Sequence, residues 1–277
     1  MRAALVQLTA GDDPAANLPV TRGFVAQAAA EGATLICTPE VTNCVSQDRA
    51  RQRAVLRHQD GDPTLATLRE DAARLGVWIA VGSLAVKTND ADGRFANRSF
   101  LIGPDGVIVA HYDKIHMFDV TVSDTESYRE SAGYRPGDRA VLARTPDAAL
   151  GLTICYDLRF AHLYRDLAQA GADILLVPSA FSPVTGAAHW DTLLRARAIE
   201  TGCFVLAAAQ TGTHPATAGT PRQTWGHSLA VAPWGEVLAD AGVDAGVTLV
   251  DLDLSLVARS RRRVPSLTHD RDYESPR

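Results

Sequence analysis

The feature that most constrains this chain is the regular alternation of short apolar runs with stretches of helical period. Residues 3–9 (AALVQLT) read as a strand. Residues 17–32 place apolar side chains at helical spacing and stop at a glycine, and 34–40 (TLICTPE) is a short buried strand. Residues 63–76 have the composition of a helix ending at Gly76, followed by a strand over 77–86. Two apolar runs within 97–114, joined by Gly-Pro-Asp-Gly, predict a hairpin. The segment 118–138 has little periodicity and reads as a long loop, a feature that often carries function in a compact domain. The pattern then resumes with strands at 149–155, 173–179 and 203–210 and helices near 161–171 and 187–201. A second hairpin over 225–240 and a strand over 247–254 follow. With no low-complexity linker, this predicts one α/β domain with some antiparallel strands mixed in.

The bulk numbers exclude several classes. A chain of 277 residues that is 46% hydrophobic can bury a large core. A formal net charge of -5 gives no electrostatic footprint for nucleic acid or an anionic membrane. The one basic run, 259–263 (RSRRR), reads as a solvated helix face or a helix-end contact. The N-terminal apolar run is too short for a signal-peptide core, and no window approaches the roughly 18 apolar residues of a membrane span. Cys37, Cys44, Cys155 and Cys203 are widely spread without a CxxC pair, which argues against a disulfide framework or structural zinc. The expectation is a soluble protein of a reducing cytoplasm.

Three residues of reactive type close apolar strands: Glu40 ends TLICTPE, Lys114 ends VIVAHYDK and Cys155 ends ALGLTIC. Sites in open α/β sheets form outside the carboxyl ends of strands, so the three are candidates for one cleft. Each has a plain alternative: Glu40 as a turn cap, Lys114 as an edge charge, Cys155 as core filler. Together they suit acyl transfer. A thiolate attacks, a carboxylate carries its proton, and an ammonium with the backbone N–H after the cysteine offsets the oxyanion. A strand-to-helix turn at Cys155 would favour the thiolate, so its thiol pKa is expected to be lowered.

The blocks TPE (38–40), HYDKIHMFD (111–119) and GLTICYDLRF (151–160) resemble the signatures of the nitrilase, or carbon–nitrogen hydrolase, superfamily. PSAF (178–181), TGAAHWDTLLRARAIET (185–201) and WGHSLAVAPWGEVLA (225–239) resemble its amidase branch of deaminated glutathione amidases and ω-amidases. The resemblance implies a four-layer α-β-β-α sandwich of two mixed sheets over residues 1–262, assembled as a homodimer or higher homo-oligomer. The tail 263–277 is read as an oligomer contact. It implies a Glu40, Lys114 and Cys155 catalytic set, with Glu130 as a second glutamate. Glu130-Ser131 and Pro136-Gly137 match the family's Glu-Ser-x-x-x-x-Pro-Gly pattern, whereas Glu126 lacks the Pro-Gly. Tyr156 is expected to give its N–H to the oxyanion beside Lys114.

Arg159 is the candidate for a substrate carboxylate, its rival role being a structural pair with Asp157 or another acid. Phe181 and Trp190 are pocket wall or core. His189, His227 and the His111/His116 pair are read as structural, and the implied mechanism needs no metal or other cofactor. The sequence departs from the family at Arg-Phe-Ala-His (159–162), and 41–50 aligns with neither subgroup. The function implied is cysteine-dependent hydrolysis of a small carboxylate-bearing amide through a thioester, with deaminated glutathione ranked before 2-oxoglutaramate. A nitrile hydrolase or N-carbamoyl amidohydrolase, and a non-catalytic binding protein, stay open as rivals.

Overall fold

The computed structural model describes residues 1–123, 126–217 and 219–276. The first half runs β1 (Arg2–Gln7), α1 (Pro14–Ala30), β2 (Leu35–Cys37), α2 (Arg49–Val55), α3 (Pro63–Leu75), β3 (Trp78–Lys87), β4 (Phe95–Ile102) and β5 (Ile108–Asp113). A small hairpin, β6 (Asp119–Ser123) and β7 (Glu126–Arg129), leads to β8 (Val141–Arg144), β9 (Ala149–Leu152), α4 (Ala161–Gln169) and β10 (Ile174–Leu176). Next come α5 (Pro183–Thr201), β11 (Phe204–Ala207), β12 (Thr211–Thr213) and β13 (Gln223–Trp225). The last elements are β14 (Leu229–Val231), β15 (Val237–Asp240), β16 (Gly246–Asp251) and α6 (Ser255–Arg263).

Two six-stranded sheets result, ordered β16-β1-β2-β3-β4-β5 and β15-β14-β11-β10-β9-β8. In each, three central strands run parallel and the flanking strands pair antiparallel, so both sheets are mixed. The period-2 geometry of β1 shows the layering. Ala4 and Val6 pack outward with Val25 and Ala28 of α1 and Leu65, Leu68 and Ala72 of α3. Ala3 and Leu5 face the other way, into a cluster that continues through Leu150, Leu152 and Leu175 to Leu167 of α4 and Leu194 of α5. The molecule is therefore the expected four-layer α-β-β-α sandwich. Both faces of each sheet are covered, which is why the central strands read as near-continuous apolar runs.

Helix ends follow local rules. Asp62 accepts from Leu65 N at 2.9 Å, Pro63 takes the first turn, and Gly76 closes α3 in the left-handed region at φ 67°. The basic run ends α6, as expected: Arg261 donates to Thr201 O and Ala172 O, and Arg263 lies 3.8 Å from the centroid of Trp234. The tail folds back on its own chain, where Arg165 donates to Ser266 O at 3.0 Å and Gln169 to Leu267 O at 2.9 Å.

Three differences from the sequence reading stand out. The long loop expected over 118–138 contains the β6–β7 hairpin and a 3₁₀ turn at Glu130–Ala132. Residues 49–55 form a helix with no apolar stripe, Gln52 being its buried residue. The strand expected over 34–40 stops at Cys37, freeing Thr38, Pro39 and Glu40 to turn toward the second sheet.

That turn depends on Gly82. A Cβ there would lie 2.0 Å from Thr38 O, 2.5 Å from Pro178 Cβ and 2.6 Å from Pro39 O. Backbone occupies the space, so Gly82→Ala forces the strand ends that carry Glu40 and Cys155 apart. A loss of roughly 1–3 kcal/mol, the usual range for overpacking, is expected in urea unfolding midpoints.

Candidate active site

Two of the strand ends turn through strained backbone. After Glu40, Val41 sits at φ 46°, costly for a β-branched residue. Its N–H donates to Ser83 Oγ at 2.8 Å, and Thr42 N donates to Ser83 O at 2.9 Å. Gln210 Nε2 pins the Glu40 carbonyl from the second sheet at 3.0 Å. Cys155 lies at φ 50° and opens a 3₁₀ turn over Cys155–Arg159. Its N–H donates to Pro178 O at 2.9 Å, while Ile154 N donates to Asp157 Oδ2 at 2.8 Å. Lys114 follows β5 directly, held by bonds from its own N to Asn97 O and from Gly137 N to its O.

The Lys114 ammonium is 2% exposed and sits between two carboxylates. Nζ lies 2.9 Å from Glu40 Oε1 and 3.0 and 2.9 Å from the two oxygens of Glu130. Asn97 Nδ2 donates to Glu40 Oε1 at 2.9 Å and Ala180 N to Glu40 Oε2 at 2.9 Å. Phe118 N donates to Glu130 Oε2 at 2.6 Å. The Cys155 thiol lies beside the Glu40 carboxylate and near the Ala180 N–H, close enough for each to act on its proton.

The charges set each proton's place. Burial works to raise the Glu40 carboxyl, but Lys114, with the Arg222 guanidinium beyond it, holds it below its ordinary 4.5. Burial works to lower Lys114, and Glu130 and Glu40 together carry it well above 10.5. Burial, then the adjacent Glu40 carboxylate, pushes the Cys155 thiol up from 9.0 against the pull of Lys114. This corrects the expectation of a lowered thiol pKa: the helix-end and lysine effects lose to desolvation and a neighbouring anion. Cys37 and Cys44 are also raised by burial, each to about 12. At rest the sulfur is a thiol and its neighbour a carboxylate.

These residues line a cavity of about 320 Å³, together with Phe118, Tyr128, Tyr156, Phe181 and Arg222 among others. That is within the usual size of small-molecule sites, roughly 300–1,000 Å³. Glu40, Lys114 and Cys155 thus share one cavity, as the strand-end argument expects, and Glu130, Tyr156 and Phe181 line it with them. Tyr156 is in the first turn of the 3₁₀ helix, where N–H groups lack an intrahelical acceptor.

Arg159 is placed differently. It is half-buried outside that lining, 5.9 Å from the Tyr156 ring centroid and 5.7 Å from that of Phe181, with Nη2 3.3 Å from His189 Nδ1. Its suggested pairing with Asp157 does not occur. Asp157 instead accepts from Tyr112 Oη at 2.7 Å and His116 N at 3.1 Å, and meets His116 Nδ1 at 2.7 Å. Asp157 ties the cysteine turn to the segment carrying Lys114, a role its buried acid in an apolar turn could have signalled. Asn97 is a second such residue, a polar side chain inside the apolar β4. Trp190 belongs to the core, its Nε1 donating to His227 O at 2.8 Å. Glu126 lies outside the lining and accepts from Tyr128 Oη at 2.7 Å. His227 Nδ1 lies 3.0 Å from Asp240 Oδ1.

A sandwich whose strand ends bring a thiol, a carboxylate and an ammonium together defines a class, and sequence comparison agrees. Residues 2–262 match the carbon–nitrogen hydrolase family, and the chain belongs to it. The chain is 40% identical over 273 residues to the deaminated glutathione amidase of Yersinia enterocolitica, covering 98% of this chain and 93% of that one. Among solved structures it resembles the NitFhit protein of C. elegans, with TM-score 0.88 and 34% identity over 98% of this chain. This chain spans 65% of that longer one. It also resembles an amidase mutant from Nesterenkonia sp. AN1 that shows Michael addition of acrylamide at the active site cysteine. That match has TM-score 0.76 and 27% identity, and covers 96% of this chain and 98% of that one. The protein is accordingly an amide-hydrolysing enzyme of the nitrilase superfamily. Among the described residues, no helix is long and apolar enough to cross a membrane.

Lys114→Met leaves Glu40 and Glu130 buried and facing each other. A loss of about 3–5 kcal/mol is expected by urea unfolding at neutral pH, the usual cost of breaking a buried pair on one side. Glu40, lowered on folding, contributes stability above pH 4.5 and loses it as pH falls through the folded value. Lys114, raised on folding, contributes below pH 10.5 and loses it as pH rises through the folded value. The difference between wild type and Lys114→Met is therefore expected to be greatest between those limits and to shrink outside them.

Proposed function

We propose that this enzyme cleaves the amide C–N bond of a small carboxylate-bearing substrate through a thioester on Cys155. The observation that carries the reading is the Glu40 carboxylate set beside the Cys155 thiol in one cavity, with the Lys114 ammonium fixed behind them. As sulfur attacks the amide carbon, its proton passes to Glu40. The oxyanion takes its hydrogen bonds from Lys114 and the Tyr156 N–H. An ammonium has three N–H groups, and loosening one Glu130 contact turns a donor toward that oxygen. Collapse breaks the C–N bond, and the proton on Glu40 goes to the departing ammonia or amine. Water then attacks the thioester with Glu40 as base, and the acid leaves as the thiol is restored.

Glu130 orients Lys114, and Phe181 walls the acyl group. For the substrate, the curated relative's name supports deaminated glutathione, or more broadly an ω-amide of a 2-oxo acid. An amide panel with ammonia readout tests the mechanism, expecting release by the wild type and none by Cys155→Ala. Equal release by the two would overturn it, and turnover of nitriles or carbamoyl compounds in place of amides would overturn the substrate class.

The pH profile gives a second test. Activity requires Glu40 ionised and Cys155 protonated in the free enzyme, so kcat/KM is expected to be flat between pH 4.5 and 9.0. It falls on the acid side as Glu40 takes up a proton and on the alkaline side as the thiol loses one. An inflection between about pH 5 and 8 would instead assign a histidine to the chemistry.

A further inference from the structure

The cavity carries more positive charge than the catalytic set uses. Lys114 is already bracketed by Glu40 and Glu130. Arg49, Arg129 and Arg222 also line the space, and none of them forms an ion pair among the described residues. Arg129 is exposed and turns its Nη1 to the carbonyls of Val120 and Tyr128. Arg49 gives Nη1 to Gln52 and lies over the ring of Tyr134. Arg222 is different in being incompletely satisfied.

Arg222 precedes β13 and is fixed on two sides. Nη2 donates to Ala180 O at 2.5 Å, and the guanidinium lies 5.6 Å from the Tyr128 ring centroid. Its Nε is buried without an acceptor. That Nε is sealed from the cavity, but the guanidinium lines it with a carbonyl and a ring as partners and no ion pair among the described residues, so an anionic ligand there would meet its charge. Ala180 is also the residue whose N–H holds Glu40 Oε2, so the guanidinium is one residue's breadth from the reacting centre. A planar, immobilised guanidinium facing the cavity suits a carboxylate better than a neutral group.

We propose that Arg222, rather than Arg159, receives the substrate's carboxylate and sets the preference for anionic over neutral amides. Arg159, packed beside Tyr156 and Phe181 with His189 at its Nη2, supports the rings of the wall. The proposal rests on the amidase reading above and names the residue that selects its substrate.

The test compares succinamate with butanamide, which lacks the carboxylate, by ammonia release from wild type, Arg222→Met and Arg159→Met. The wild type is expected to prefer succinamate. In Arg222→Met the ratio of the two kcat/KM values should fall at least about tenfold, the equivalent of one charge-assisted hydrogen bond, mainly through KM for succinamate. In Arg159→Met the ratio should hold. Equal losses on both substrates in Arg222→Met, or collapse of the ratio in Arg159→Met alone, would overturn the assignment. Ammonia release from neither substrate would count against the amidase reading, and calorimetric binding of succinate then decides the anchor separately. Wild type binding succinate and Arg222→Met losing it supports the proposal; equal binding, or none to either protein, overturns it.

Discussion

The burial of one ammonium between two carboxylates organises this molecule. Lys114 has almost no contact with solvent, so its charge has to be met inside the protein. Glu40 comes from the end of β2 and Glu130 from the turn after β7, while Asn97 of β4 bridges toward both. None of these groups can move without leaving another charge unpaired. The cluster thereby fixes the distance between the two sheets' loop ends, and Cys155 is delivered to it from the opposite sheet. Strain at Val41 and Cys155 is the cost of bringing those ends together, and the bonds their N–H groups donate to Ser83 and Pro178 hold it in place.

The two sheets place these residues by the same device. Each has a parallel centre built from strand–helix–strand crossovers, β1–β2–β3 in one and β9–β10–β11 in the other, with antiparallel strands outside. Glu40 leaves the carboxyl end of the middle strand of the first centre, and Cys155 that of the first strand of the second. Gly82 allows the contact at which the two halves meet, since Thr38 and Pro39 on one side and Pro178 on the other occupy its Cβ position. A site built across that junction inherits the rigidity of both sheets, which suits groups that must be positioned to fractions of an ångström.

The parts of the fold that sequence reveals are those with a clear period. The strands carrying Glu40 and Cys155 are buried on both faces and the edge strand β5 runs straight into Lys114, so the positions of all three at strand ends can be read directly. The β6–β7 hairpin cannot be read that way, because the described part of β7 alternates between half-buried and exposed residues without a core face. Helix α2 has the same problem, with Gln52 as its buried residue. Arg222 sits in irregular chain rich in Gly, Thr and Pro, where period carries no information, and its importance appears only when Ala180 and Tyr128 close on it. Arg159 shows the converse. It stands in the most recognisable block of the chain, yet its guanidinium packs behind the cavity wall.

The raised thiol pKa has a consequence for how such a site works. A thiolate resting beside an ionised glutamate would place two anions against one lysine already shared with Glu130. Keeping the proton on sulfur avoids that repulsion and leaves the carboxylate beside the thiol it will deprotonate. Negative charge then reaches the sulfur only as the carbon–sulfur bond forms, and moves on to the oxygen that Lys114 can meet. The ammonium therefore contributes more once charge develops than in the resting enzyme, which is the condition for an electrostatic group to accelerate the reaction rather than merely bind the substrate.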